Sequence, residues 1–498
     1  MRTLRIGCTV RPTVLDRDQP LRLLQWENMD GHLQLYEPPT QCVGAPPETA
    51  GRPESLEVLP FVAERWEQSA DCTTHRFFLR RGLYSAFDHE LTAEDVRWGW
   101  ERSLALGTVG AWVSGNAGLA SPDQVQVLDR YVVEFRLPHP NTILPHLFTV
   151  VVPTIFDAQV ARQHTTPEDP WALRWTQTNG VGFGPYVTEG LTSDGSFRFV
   201  KNPRYWRGPL AYDAVDFVEV RDPAERWRAL QRGDVDVAIE LEVPEGQHDG
   251  VVVYHVPTTW RYTMGMNVTR PPFDRVEVRQ AVALAVPYER IITEACKGCA
   301  KRMLSCVSDT IVGYTPAHHR WEYRPDEARR ILQRHQPLPA VKLGYHDEVP
   351  ALPIIARLIA ESLSELGLPV EPALMSREDH SFVQFTKSVD MFLDEFGPMT
   401  VDGRYHLRHD VNPPLGGIFD YTGYHSAEID HLLTAAFREL DHERMKALLA
   451  EVQRIALHDV PWVPLAQQKF CFGVRGAVIG YRWYPLARLR CRDLRPRG

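Results

Sequence analysis

No stretch of this chain stays apolar for long. Its best candidates, such as VRQAVALAV, reach about half of the ~20 residues that a bilayer span requires. No membrane insertion is expected. Nor is there a surplus of positive charge: 55 Lys and Arg stand against 64 Asp and Glu, a formal net charge of -9. Without a global basic field the chain has no electrostatic footprint for nucleic acid or anionic lipid. The eight cysteines are too sparse and scattered across 498 residues to form a disulfide framework.

The usual catalytic signatures are missing as well. There is no HExxH zinc-protease helix, no GxSxG nucleophile elbow, and no Gly-Lys-Ser or Gly-Lys-Thr phosphate loop. The glycine-rich GVGFGPYVTEG, starting at Gly180, does not supply one. A phosphate site needs glycines that run from a strand into a helix N-terminus, whereas here Pro185 and strand-like residues follow. That stretch reads as a turn before a strand. A non-catalytic protein without cofactor is expected.

The first ten residues, MRTLRIGCTV, also lack something. Gly7-Cys8 resembles the end of a lipoprotein signal, but a secretory signal needs roughly seven to fifteen apolar residues, and Arg2 and Arg5 interrupt this segment. The alternation of Leu4, Ile6, Cys8 and Val10 predicts a strand instead. If Met1 is the native start, a cytoplasmic protein is expected.

What is present is a steady alternation of short strands and amphipathic helices, the pattern of an α/β chain with mixed sheets. THRFFL predicts a strand. Thr92 begins a helix with Asp95 as its capping-box partner, and Val96, Trp100 and Leu104 share one face. DQVQVLDRYVVEFRLPHP predicts two strands around an Asp-Arg turn. A further helix runs from Asp222 to Gly233, followed by the strand DVDVAIEL. No repeat or low-complexity segment appears.

Several stretches together resemble the solute-binding proteins of ABC importers for dipeptides, oligopeptides and nickel chelates, solute-binding protein family 5. They are LPFVAERWEQS (59–69) with the segment up to LTAEDVRWGWERSL, GFGPY (182–186), KNPRYWRGP (201–209), RALQRGDVDVA (228–238), MNVTRPPFDRVEVRQAVALAV (266–286), GYHSAEIDHLL (423–433) and ERMKALLAEVQRIALHDVPWVPL (443–465). They occur in the family's order over nearly the whole chain.

The resemblance implies a type II periplasmic-binding-protein-like, two-lobe clamshell with an additional subdomain. Lobe I would comprise 1–34, 150–257 and 466–498, the subdomain 35–149, and lobe II 258–465. The hinge would lie near 261–267 and 464–474. Function would be capture of a small polar ligand, peptide-like or a chelate, by lobe closure. An ABC permease is the partner if the chain is exported, to the periplasm or extracellular face as family members are. A monomer is expected. The alternative is a cytoplasmic protein of the same fold, repurposed as a metabolite sensor or a biosynthetic enzyme.

Two departures bear on the ligand. Pro287 stands where the family usually carries an acid, and DEFGPMTVDGRYHLRHD replaces a tryptophan-rich acidic loop. In an extended conformation Asp402, Arg404, His406, Arg408 and Asp410 would project from one side. Facing a cleft, the guanidiniums could hold a carboxylate or phosphate and the acids an amine; otherwise this is a solvated loop edge. Trp260, Tyr262 and Asn267 at the implied hinge either line the cleft or belong to the core. The expected ligand-binding set is Arg11, Trp260, Tyr262, Asn267, Asp402, Arg404 and His406. CKGCAKRMLSC holds Cys296, Cys299 and Cys306, one ligand short of a structural zinc site. No metal is expected there; a disulfide or plain loop thiols remain.

Overall fold

The computed structural model describes residues 1–16, 18–19, 29–150, 152–243, 246–397, 400–414 and 419–498. The chain divides into two compact units, Met1–Val256 with Phe470–Gly498, and Pro257–Lys469. Two long strands, Val251–Met266 and Trp462–Arg475, each carry the chain past a unit boundary.

In the first unit, Thr3–Cys8 forms the expected strand and buries Leu4, Ile6 and Cys8, whereas Val10 lies beyond its end and is exposed. It pairs in parallel with Ala214–Glu219, Leu4 opposite Val215 and Ile6 opposite Phe217, and with Val237–Ile239 on its other side. Phe197–Lys201 and Tyr186–Leu191 extend the sheet antiparallel. A second, four-stranded antiparallel sheet contains Thr74–Leu79, Val125–Asp129 and Val132–Arg136, as the sequence pattern predicts. The Ala93–Leu106 helix starts at Thr92 with the Asp95 capping box in place. Its Trp100 packs edge-on against Phe135 and Phe148, 5.1 and 5.0 Å between ring centres.

GVGFGPY is a packing device, not a phosphate loop. A Cβ on Gly182 would sit 2.4 Å from the Leu35 carbonyl oxygen, so only glycine allows this backbone approach. Gly184 N–H donates to the same carbonyl at 2.9 Å, and the strand Tyr186–Leu191 follows.

In the second unit, Val370–Leu374 and Val341–Tyr345 pair in parallel, Met391–Phe396 joins Val341–Tyr345, and Val251–Met266 lies antiparallel to it. Strand alternation gives this sheet two unlike faces. Tyr262, Met264, Met266, Met391 and Leu393 enter one core with the Val276–Ala285 and Ala351–Glu365 helices. The opposite face carries Arg261 and Thr263, across from Phe396 and Asp394. A second core forms where the Ala427–Arg438 and His442–Asp459 helices close over Leu407 and Val411. Among the described residues no helix is long and apolar enough to cross a membrane.

Candidate functional site

The polar face of the second unit's sheet opens into a pocket. Arg261, Thr263, Asp394 and Phe396 supply its floor, His409, Asp410 and Val411 one wall, and Phe419, Tyr421 and Trp462 aromatic surface. Its position follows from register: Arg261 lies opposite Phe396 and Thr263 opposite Asp394, and antiparallel partners project to the same side.

Arg261 is the central group. Its side chain is 4% exposed and pairs with Asp410 through a hydrogen bond from Nη2 to Oδ2. Among the described residues, its Nε and Nη1 are buried and donate to no acceptor. An unsatisfied buried donor costs on the order of 1–3 kcal/mol, so the pocket holds donor capacity that the protein does not use. The Arg261 guanidinium also lies 5.3 Å from the Phe396 ring centre.

His406 orients Asp410. Its Nε2 meets the Thr400 carbonyl at 2.8 Å and its Nδ1 faces Asp410 Oδ2 at 3.3 Å. Burial works against the Asp410 charge, but Arg261 and His406 together hold its carboxyl below the usual range. Asp394 behaves in the opposite way: burial raises its pKa and outweighs the pull of His380, Arg377 and Arg261. Burial also pushes His409 down to about 4, leaving a neutral ring near pH 7.

The residues expected from sequence are distributed differently. The segment after Val401 is helical, not extended: Asp402 caps Gly403–His406 and a wider turn continues through Leu407–Val411. The two-residue spacing therefore does not align the five side chains. Asp402 accepts from Arg404 Nε at 2.9 Å and Nη2 at 2.6 Å, and both residues are buried, so each neutralises the other. Arg408 pairs with Asp430. His406 is buried and acts on the pocket through Asp410.

Tyr262 belongs to the apolar core behind the sheet, on the face away from Arg261. Trp260 is half-buried, with its ring filling the space a Cβ on Gly397 would need, 2.1 Å away. Asn267 is buried and holds a turn, its Oδ1 accepting from Thr269 N at 3.1 Å and Thr269 Oγ1 at 2.6 Å. Arg11, in the first unit, lies 3.5 Å from Glu219. Cys296 and Cys306 have thiols pushed up to about 12 by burial, so they carry little thiolate at neutral pH.

Sequence reasoning passed over Arg261, Thr263 and Asp394. The signal was available in TWRYTMGMN, where large apolar residues occupy the even positions and polar or small ones the odd.

The architecture is that of an α/β solute-binding protein of the type II periplasmic-binding-protein-like class. A periplasmic binding protein from Helicobacter pylori, solved in complex with the peptide STSA, superposes with a TM-score of 0.80 at 20% identity, covering 99% of this chain and 98% of that one. Di/tripeptide-binding protein 2 of Pseudomonas aeruginosa is 26% identical over 468 residues, 87% of this chain and 86% of its own. The probable D,D-dipeptide-binding periplasmic protein of Escherichia coli is 22% identical over 448 residues, 88% of this chain and 85% of its own. The family model for bacterial extracellular solute-binding proteins, family 5, matches residues 57–412. The chain belongs to that family. These relatives lend no support to a metabolite sensor or a biosynthetic enzyme on the same scaffold.

Proposed function

We propose that this chain captures a small polar, peptide-like solute without covalent chemistry and delivers it to an ABC permease outside the cytoplasmic membrane. The observation that carries the reading is Arg261, a buried guanidinium with two unused donors in a pocket that also presents aromatic and acidic side chains. Such a combination binds the polar groups of a ligand while its body rests on the rings. The family relationship supports the same reading, since the relatives named above are peptide-binding proteins.

The lobe division of 1–34 with 150–257 and 466–498, 35–149, and 258–465 belongs to this proposal, as does capture by closure. Arg11 and Trp260 are its remaining contact candidates among the residues singled out by sequence. His406 serves it by positioning Asp410, whereas Asp402 and Arg404 are engaged with each other.

Native mass spectrometry of freshly purified protein, with a thermal-shift panel of dipeptides, tripeptides and nickel chelates, tests it. A co-purified mass or a selective shift is the expected result; neither, across the panel, sinks the reading. Fractionation that finds the native protein only in the cytosol removes the permease from it.

A further inference from the structure

We propose that Cys296 and Cys299 are an oxidisable dithiol that closes into a disulfide across a single β-turn by exchange with a small disulfide oxidant. The inference goes beyond the reading above and does not depend on which solute is bound.

The turn itself brings the two residues together. Cys299 N–H donates to the Cys296 carbonyl at 2.8 Å, and Lys297 and Gly298 between them have φ of 48° and 79°, the positive pair of a type I′ turn. The first and fourth Cα atoms of such a turn lie within about 7 Å of each other, and a disulfide joins Cα atoms about 4.4–6.8 Å apart. Hydrogen bonds fix the turn from both sides. Before it, Cys296 N donates to the Ile291 carbonyl and Gly298 N to that of Ile292, both at 3.0 Å. After it, Lys469 N donates to the Cys299 carbonyl at 2.9 Å, where Ala300–Arg302 pairs with Trp462–Arg475. The bond is therefore within reach of side-chain rotation on a main chain already in place.

The two sulfurs take different roles. Cys299 is half-buried and Cys296 buried, so exchange begins on Cys299. Its thiolate attacks one sulfur of the oxidant and releases the other as a thiol. Cys296 then attacks the Cys299 sulfur of the mixed disulfide and releases the second thiol. One oxidant disulfide is reduced, one protein disulfide forms, and the two thiol protons leave with the oxidant's sulfurs. Burial, Cys299 and Glu395 all disfavour the Cys296 thiolate. It is therefore a poor leaving group, so closure is slow and the closed form resists reduction. A location outside the cytoplasmic membrane supplies the oxidising setting.

The test exposes the full chain, reduced, desalted and in native buffer, to oxidised glutathione, followed by tryptic digestion without reductant and mass spectrometry. Cleavage after Lys297 separates the two cysteines, so the expected product is IITEACK joined to GCAK through sulfur. In C296S, Cys299 is expected to stop as the glutathione adduct; in C299S no adduct is expected on Cys296. G298V places a β-branched side chain at a left-handed φ and is expected to slow closure severalfold, with the Cys299 adduct in G298V/C296S forming as fast as in C296S.

Cys299 joined to Cys306 or to any other cysteine, an adduct on the parent chain that never closes, or two thiols unchanged by the oxidant overturns the proposal. Closure of G298V at the parent's rate overturns it as well. None of these outcomes touches the solute-binding reading, which the ligand panel tests separately.

Discussion

Arg261 and Asp410 lie 149 residues apart in the chain and meet through one hydrogen bond, Nη2 to Oδ2, at the wall of the pocket. Their side chains are 4% and 11% exposed. Removing one partner of a buried ion pair leaves an uncompensated charge, at a cost of about 3–5 kcal/mol, whereas removing both is far milder. R261M and D410N are therefore each expected to lower unfolding stability by about that amount, and R261M/D410N by clearly less than the sum. Urea unfolding of the four proteins measures the cycle. Additive losses would show that the pair carries no coupling.

Asp402 and Arg404 make a second pair of another kind. Asp402 is both the cap of a short helix and the bidentate partner of a buried guanidinium. D402A removes a cap, worth about 0.5–2 kcal/mol, and strands Arg404, at about 3–5 kcal/mol. The expected outcome is a large fall in melting temperature with ligand preference unchanged in whatever protein stays folded. A change in ligand affinity at constant stability would return Asp402 to the binding set.

These two pairs show what the sequence makes legible. Local chemistry reads out well: the Thr92–Asp95 capping box, the Asp222 cap with Gly233 at the helix end, and the alternation in Thr3–Cys8 all appear as expected. Asp402 misled because the same residue suits an N-cap or a ligand contact. The capping reading wins here, with Leu407 and Val411 four apart and facing the second core. Tyr262 misled because aromatic type outweighed strand phase; its neighbours Met264 and Met266 share its core-facing side. The Arg261–Asp410 pairing follows from the sheet and the helical turn meeting in space, and neither segment alone announces it.

Titration supplies a further prediction. Burial lowers His409 and His346 from 6.5 to about 4, and His346 Nε2 faces Arg377 Nη1 at 2.8 Å. The unfolded chain then binds protons between pH 6.5 and 4 that the folded chain refuses, so stability falls as pH falls through that window. Asp394 works in the opposite sense. Its raised pKa makes the folded chain the better proton binder above pH 3.8, a contribution present at low pH and lost as pH rises. H346Q is expected to flatten the acid-side decline in melting temperature, and D394N to remove the opposing slope. An unchanged profile in both variants would refute these assignments.

The thiols give a chemical check. Cys296 and Cys306 are held up to about 12 by burial, and thiolate is the reactive form. Neither is expected to take up iodoacetamide at pH 8 in the folded protein, and both are expected to do so in urea. Peptide mapping by mass spectrometry reads the outcome, and rapid labelling of either cysteine without denaturant contradicts it.

The glycine-rich stretch at Gly180 separates two readings of one motif. As a phosphate loop, its glycines would admit a ligand; in this fold Gly182 admits the Leu35 backbone, with a Cβ position 2.4 Å from that carbonyl oxygen. Because the opposing atom belongs to the main chain, an added methyl cannot be relieved by a rotamer change, and overpacking of this kind costs typically 1–3 kcal/mol. G182A is therefore expected to lower unfolding stability by about that amount, with no nucleotide binding in either the variant or the parent chain. Differential scanning fluorimetry with and without ATP and magnesium reads both quantities. A parent melting temperature that rises with nucleotide, and fails to rise in G182A, would restore the phosphate reading.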